Sequence, residues 1–277
     1  MENVRKLQFE SPGFFRRLKG MLGVDFYRLF HTPLYYIFLA VAAIIPAMIL
    51  GTMGMENPQT GETAAQLYTN TWHIIAAESP LYVVSDIAEY ANMNMVFIFG
   101  GIMVSIFIGH DYKSGYVKQL FTTHAKKQDY MISNSITCAF AMACMCVTYL
   151  VGAVGAGLFA GTSFAVNAGS LVFAVLGKMV MSLGWASLYT FLNIIFRRYF
   201  GVSIASSFFF GTGILIIGAA AILGNNSILN IFLYGASVYA CLSANIVTFL
   251  VCIVCSVVWA VIYNVLGTRI LSKSDVY

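Results

Sequence analysis

GHDYKSGYVKQLFTTHAKKQDY, residues 109–130, is the one strongly polar segment in the middle of a 277-residue chain. It sets Lys113, Lys118, Lys126 and Lys127 against Asp111 and Asp129, and long apolar runs flank it on both sides. Hydrophobic residues make up 60% of the sequence and charged residues only 9%. A soluble domain carries about a quarter charged residues. The mean hydropathy of +0.82 points the same way. A helix needs about 20 mostly apolar residues to cross roughly 30 Å of hydrocarbon. The chain is therefore read as an all-α integral membrane protein, with residues 1–277 forming a single transmembrane domain. That leaves no room for a sizeable soluble domain. No phosphate-binding loop of the GxxxxGK(S/T) type occurs.

Upstream of the polar segment, residues 12–31, PGFFRRLKGMLGVDFYRLFH, read as an amphipathic helix. Phe14, Phe15, Leu18, Met21, Leu22, Phe26 and Leu29 fall on one arc of roughly 140° at helical spacing. Arg16, Arg17, Lys19 and Arg28 take the rest. This predicts an N-terminal interfacial helix lying in the headgroup layer. Asp25 interrupts the apolar arc, and a pair with Arg28 three residues on is the simplest way to satisfy it. The first thirty residues lack the compact apolar core and small-residue cleavage site of a removable signal.

Pro33 opens the first of six expected transmembrane helices, at about 33–53, 92–110, 132–160, 169–196, 201–223 and 245–267. Pro46 is expected to kink the first. Residues 54–91 hold Glu56, Glu62, Glu78, Asp86 and Glu89 and no Lys or Arg. Residues 224–244 are too short for two spans and too apolar for an ordinary loop. Short re-entrant helices before the last span suit them, covered by protein or facing a cavity. With the N-terminus inside, 14 of the 15 basic residues fall on the cytoplasmic side. Basic residues set orientation in this way, so both termini and the 111–130 loop are expected in the cytoplasm.

Sites for enzyme chemistry are absent from the pattern. His31, His73, His110 and His124 all lie outside span centres, and there is no HExxH pair for zinc. Five of the six cysteines sit in apolar runs and read as small buried apolar residues. No carboxylate falls near a span centre, where an ion-coupled carrier usually keeps one. Lys178 is the single charge inside a span. It either snorkels to the surface or marks an anion-attracting point on a pathway.

The stretch FIGHDYKSGYVKQLFTTHAKKQDYMISN, residues 107–134, resembles the cytoplasmic loop of type-2 ABC permeases. Members of that family run from an acidic residue through an aromatic and a Gly into a short amphipathic helix ending in Leu-x-Thr/Ser, followed by a basic residue. Here those roles fall on Asp111, Tyr112, Gly115, the segment 116–122, and Lys126 or Lys127. The Pro and Arg that often follow the Thr are replaced by His124, Ala125 and Lys126. Residues 22–39, LGVDFYRLFHTPLYYIFL, also look like the family's leading helix and first span. The resemblance covers the whole chain.

It implies a permease dimer, homo- or heteromeric, joined in the membrane to two copies of a separate ABC ATPase. ATP and Mg would sit on that partner, with no cofactor or metal on this chain and no nucleic acid. The short loop is then a cytoplasmic coupling helix. Its expected contacts are Lys113, Gly115, Tyr116, Val117, Lys118, Leu120 and Phe121, with Val117, Leu120 and Phe121 as anchors in an ATPase groove. The substrate pathway is expected near Phe208, Phe209 and Phe210 of the fifth span, with Lys178. Permeases of similar size serve bacitracin resistance, lantibiotic immunity and phenol-soluble-modulin export. The resemblance thus implies export of amphipathic, antimicrobial or toxin peptides across a bacterial inner (plasma) membrane. Alternatives are ABC export of a drug, lipid or polysaccharide, and a membrane scaffold or sensor without transport.

Overall fold

The computed structural model describes residues 13–53, 93–122, 125–161, 168–215, 218, 222, 231–242 and 245–273. These form helices α1 (Phe14–His31), α2 (Pro33–Met53), α3 (Met95–Lys113), α4 (Tyr116–Thr122), α5 (Lys127–Ala160), α6 (Ala168–Ile195), α7 (Phe200–Gly211), α8 (Leu233–Leu242) and α9 (Ile246–Lys273). No strand occurs among the described residues. The acidic stretch 54–91 and most of 216–230 lie outside them.

Among the described residues, four helices, α3, α5, α6 and α9, are long and apolar enough to cross a membrane. A fifth follows if α1 and α2, bent by 65° to one another, count together. The bend falls at Thr32, whose backbone is extended (φ −97°, ψ 122°) ahead of Pro33. A residue before proline is pushed out of the helical region. The sequence therefore encodes a helix stop followed at once by a helix start. α2 runs on through Pro46.

The centre of the bundle is the α5–α6 pair. α5 packs on α1, α2, α3, α6 and α9, and α6 packs on α3, α7, α8 and α9 as well. Small residues set these contacts, as expected where lipid gives helices no hydrophobic reason to associate. A Cβ at Gly152 would fall on the backbone carbonyl of Ala43, so α2 and α5 touch main chain to main chain. Between α6 and α9, the Ser256 hydroxyl donates to the Val180 carbonyl (2.7 Å) and accepts from the Gly184 amide (3.0 Å). At the α3–α6 contact, Phe97, Trp185 and Tyr189 stack with ring centroids 5.4 and 5.6 Å apart. Tyr189 donates its hydroxyl to the Phe97 carbonyl (2.9 Å).

Two expectations need correction. The fifth apolar run, 201–223, is not one continuous helix. α7 ends at Gly211, and Gly213 adopts the left-handed conformation (φ 69°) with the Tyr234 ring of α8 closed over it. Its 12 residues rise about 18 Å, well short of a bilayer crossing. The third and sixth spans, in contrast, outrun their expected limits of 132 and 267. α5 starts at Lys127 and α9 continues to Lys273 because the two meet beyond the apolar zone. There the Lys127 ammonium donates to the Leu271 carbonyl (2.7 Å).

The Gly152 contact can be tested against its neighbour. Gly155 has nothing within 4 Å of a built Cβ. Gly152→Leu should destabilise the detergent-solubilised protein by at least the ~1–3 kcal/mol typical of overpacking. Gly155→Leu should leave its melting temperature near wild type. Equal melting temperatures for the two variants would refute the close α2–α5 approach.

Candidate functional site

The helix ends that carry most basic residues gather at one end of the bundle, and a buried ionic cluster forms there. Arg28 of α1 lies at its centre. Its guanidinium donates to Asp25 (3.1 Å), one turn back on α1, and also to Asp111 at the end of α3. Both carboxylates are fully buried. Their remaining oxygens are served from α5, where Ser133 donates to Asp25 and Tyr130 donates to Asp111 (3.2 Å). The guanidinium plane also lies over the rings of Phe107 (4.9 Å) and Tyr116 (4.4 Å). One side chain thus joins α1, α3, α4 and α5. Burial, with Asp25 nearby, pushes the Tyr116 phenol up from its ordinary value, and Arg28 opposes the rise. A second pair, Arg17 to Asp129 (2.7 Å), pins the start of α1 to the start of α5.

The Asp25–Arg28 pair anticipated from spacing is present. The long-range partners Asp111, Tyr130 and Ser133 were not foreseen. Asp111 lies 83 residues from Arg28 and Ser133 lies 108 residues from Asp25, and helical spacing reports only neighbours on the same helix.

α4 sits on this cluster. Gly115 (φ 75°) turns the chain out of α3, and the helix follows at Tyr116. Val117 is 1% exposed, packed with Tyr130, Met131, Ile194 and Leu271, and Leu120 and Phe121 lean on the same group. The Phe121 ring meets the Tyr130 ring edge-on at 5.7 Å. The expectation that Val117 faces outward as an anchor is therefore corrected, since the chain's own α5, α6 and α9 cover it, while Leu120 and Phe121 are half-buried on the same group. Lys118, Gln119 and Thr122 are the exposed side, next to Lys113 and Ser114.

The remaining candidates separate. On α1, Leu29 is buried, Phe26 packs edge-on against Phe140 of α5 (5.2 Å), Phe14, Leu18 and Leu22 are half-buried, and Phe15 is exposed. The apolar arc thus divides between the chain's own core and its surroundings. Phe208 and Phe209 lie on the exposed side of α7, while Phe210 packs into the core. Lys178 is fully buried, its ammonium bonded to the Asn94 side chain and 5.8 Å from the Phe97 ring centroid. That removes the snorkelling reading, since the charge points into the bundle.

The polar interior continues between α3, α6 and α7. Asn193 donates to Ser105 (3.1 Å), Ser203 donates to Asn193, and the Ser105 and Ser207 hydroxyls meet at 2.8 Å. Cys138, Cys146 and Cys252 are buried and form no disulfide among the described residues. No cluster with metal-ligand character occurs among the described residues.

The fold and this cluster define an all-helical protein whose apolar helices suit a multi-pass membrane protein. Compared with known proteins, the chain matches no family model and no curated sequence.

The cluster predicts a specific pattern of stability. Arg28→Met strands two buried carboxylates and should cost about 3–5 kcal/mol, the usual penalty for breaking a buried pair. Adding Asp25→Asn and Asp111→Asn removes the stranded charges and should restore part of the loss in thermal unfolding. A triple variant less stable than Arg28→Met alone would show that the carboxylates do not depend on the guanidinium.

Proposed function

We propose that the chain is the membrane-spanning permease subunit of an ATP-driven bacterial exporter. Amphipathic peptides of the antimicrobial or toxin class are the proposed cargo. The observation that carries this reading is α4. A seven-residue helix is seated without slack on the ends of α3, α5, α6 and α9, and its outer side is polar and basic. A push on such a helix is passed to its supports, since packed elements shift as units and not by continuous deformation. The sequence offers no phosphate-binding loop of its own, so the push would come from a separate ATPase that binds ATP and Mg. The docking side is Lys113, Lys118, Gln119 and Thr122, with Val117, Leu120 and Phe121 acting as the seat underneath.

The exposed apolar side of α7, with Phe208 and Phe209, supports contact with a second copy or with apolar cargo. α3 adds a half-buried stripe of Met95, Phe99, Ile102 and Ile106 beside it. The 65° bend between α1 and α2, with Phe15 exposed, supports α1 as an interfacial helix leading into the first span. Six membrane passages, the fifth broken at Gly213, with both termini cytoplasmic, remain part of the proposal.

Orientation has a direct test. A cysteine at Gly115 or Lys273 should be labelled only from the inside of intact cells, and one at Glu62 from the outside. Labelling of position 115 from outside would reverse the whole scheme.

Coupling is tested by co-expression with a phosphate-loop ATPase encoded beside this chain. Charge reversal at an interface rim changes association rate and salt dependence more than folding. Lys113→Glu with Lys118→Glu should therefore insert normally but lose ATPase co-purification and peptide-stimulated turnover, most strongly at low salt. Full co-purification and turnover in that double variant would rule out the outer side of α4 as the docking surface.

A further inference from the structure

A second basic feature lies on the opposite side of α3 from the Arg28 cluster. The ends of α3, α6 and α7 enclose a cavity of about 540 Å³. His110, Lys113, Arg197 and Arg198 line it, and no carboxylate does among the described residues. Asp111, the nearest in sequence, is turned away and held by Arg28 and Tyr130. Lys113 and Arg198 are exposed and make no ion pair among the described residues. Positive charge thus collects along this lining.

Two further observations point to a ligand. Tyr112 also lines the cavity, and its hydroxyl is buried with no hydrogen-bond partner. A buried hydroxyl left unpaired is unfavourable, so a small turn of the ring that brought it to an acceptor in the cavity would be favoured. The start of α7 opens on the same space, with Phe200 and Ser203 in the lining and no side-chain cap at Tyr199. Free amides at a helix start attract anions.

We propose that this cavity binds a phosphate ester. Guanidinium groups, an ammonium, a phenol donor and helix amides together match a phosphate's several acceptor oxygens. The walls are apolar, built by Ile106, Phe196 and Phe200. Beyond them runs the exposed apolar side of α7, including Val202 and Phe209. A lipid headgroup phosphate therefore fits with its acyl chains along α7. Basic pockets between membrane helices bind anionic headgroups in this way. The inference stands apart from the transport reading, because it needs only the cavity and the bilayer surface.

The test uses the purified full chain in detergent, titrated with phosphatidylglycerol, with phosphatidylcholine and with soluble glycerol 3-phosphate, bound ligand being read by native mass spectrometry. Phosphatidylglycerol should bind in preference to phosphatidylcholine. Arg197→Gln with Arg198→Gln should weaken it about tenfold or more. Tyr112→Phe, which keeps the ring, should weaken it several-fold. Arg198→Gln alone, at an exposed position, gives a variant that keeps the fold and should still lose affinity. Binding of the lipid without glycerol 3-phosphate assigns the site to the headgroup, and displacement of the lipid by glycerol 3-phosphate assigns it to a soluble ester. The proposal is overturned if neither compound binds above phosphatidylcholine, or if the arginine variants bind as the wild type does.

Discussion

One guanidinium between two buried carboxylates fixes the basic end of this protein. Taking a carboxylate out of water costs several kcal/mol, repaid only where charge and hydrogen bonds are both well placed. Asp25 and Asp111 are each fully buried, and each receives Arg28 and one hydroxyl. Because the donors come from α1 and α5 and the acceptors from α1 and α3, the cost is met in one arrangement of three helices. A slide of α1 along α5 would strand Asp25, and a slide of α3 would strand Asp111. The rings of Phe107 and Tyr116 close the faces of the guanidinium, which brings α4 into the same constraint. The seat of α4 therefore depends on charges as well as on the Val117 cluster.

The basic residues fall into two groups with different consequences. Arg17 and Arg28 are matched to carboxylates and act inside the fold. Lys113 and Arg198 remain at the surface and are paired to no carboxylate among the described residues. Matched charges specify structure, whereas unmatched ones at a bilayer surface are available to partners, headgroups or both. Topology counting treats the two groups alike, since only their side of the membrane matters to it. The structure separates them by depth.

What could be read from the sequence follows the range of the interactions involved. The limits of α4 were legible at 116–122, since Gly115 supplies the turn and the apolar residues recur within one short helix. The direction of its apolar side was not, because the covering residues Tyr130, Met131, Ile194 and Leu271 arrive from three other helices. Amphipathicity says that a face is buried without saying by what. The break at Gly213 escaped notice for a different reason. Its surroundings are apolar on both sides, so composition continues unbroken while the backbone does not. Only the Tyr234 ring over that glycine marks the site as a designed stop. Lys178 belongs to the same class of failure. α6 is apolar nearly all round, and such a helix gives no sign of which face meets lipid.

The placement of the polar contacts inside the apolar zone bears on how motion would travel. Ser105 of α3, Asn193 of α6, and Ser203 and Ser207 of α7 form one connected set. Hydrogen bonds between membrane helices average about 0.6 kcal/mol and reach roughly 2, so the set is a modest tie and not a weld. It is joined to α4 through α3, whose far end carries Asp111. Under the proposed function, a force on α4 acts first on α3 through Arg28 and Gly115, and then on α7 through this set. α9 is tied to the same end differently, by Lys127 to the Leu271 carbonyl and by the Val117 cluster. α9 carries small polar ties of the same kind: Asn264 accepts from Ser135 of α5 (3.1 Å) and donates to Ser187 of α6 (3.1 Å), and Ser256 bridges Val180 and Gly184 of α6. A force on α4 would therefore reach both α7 and α9 through hydrogen bonds, each a modest tie, and α9 in addition through the apolar seat around Val117.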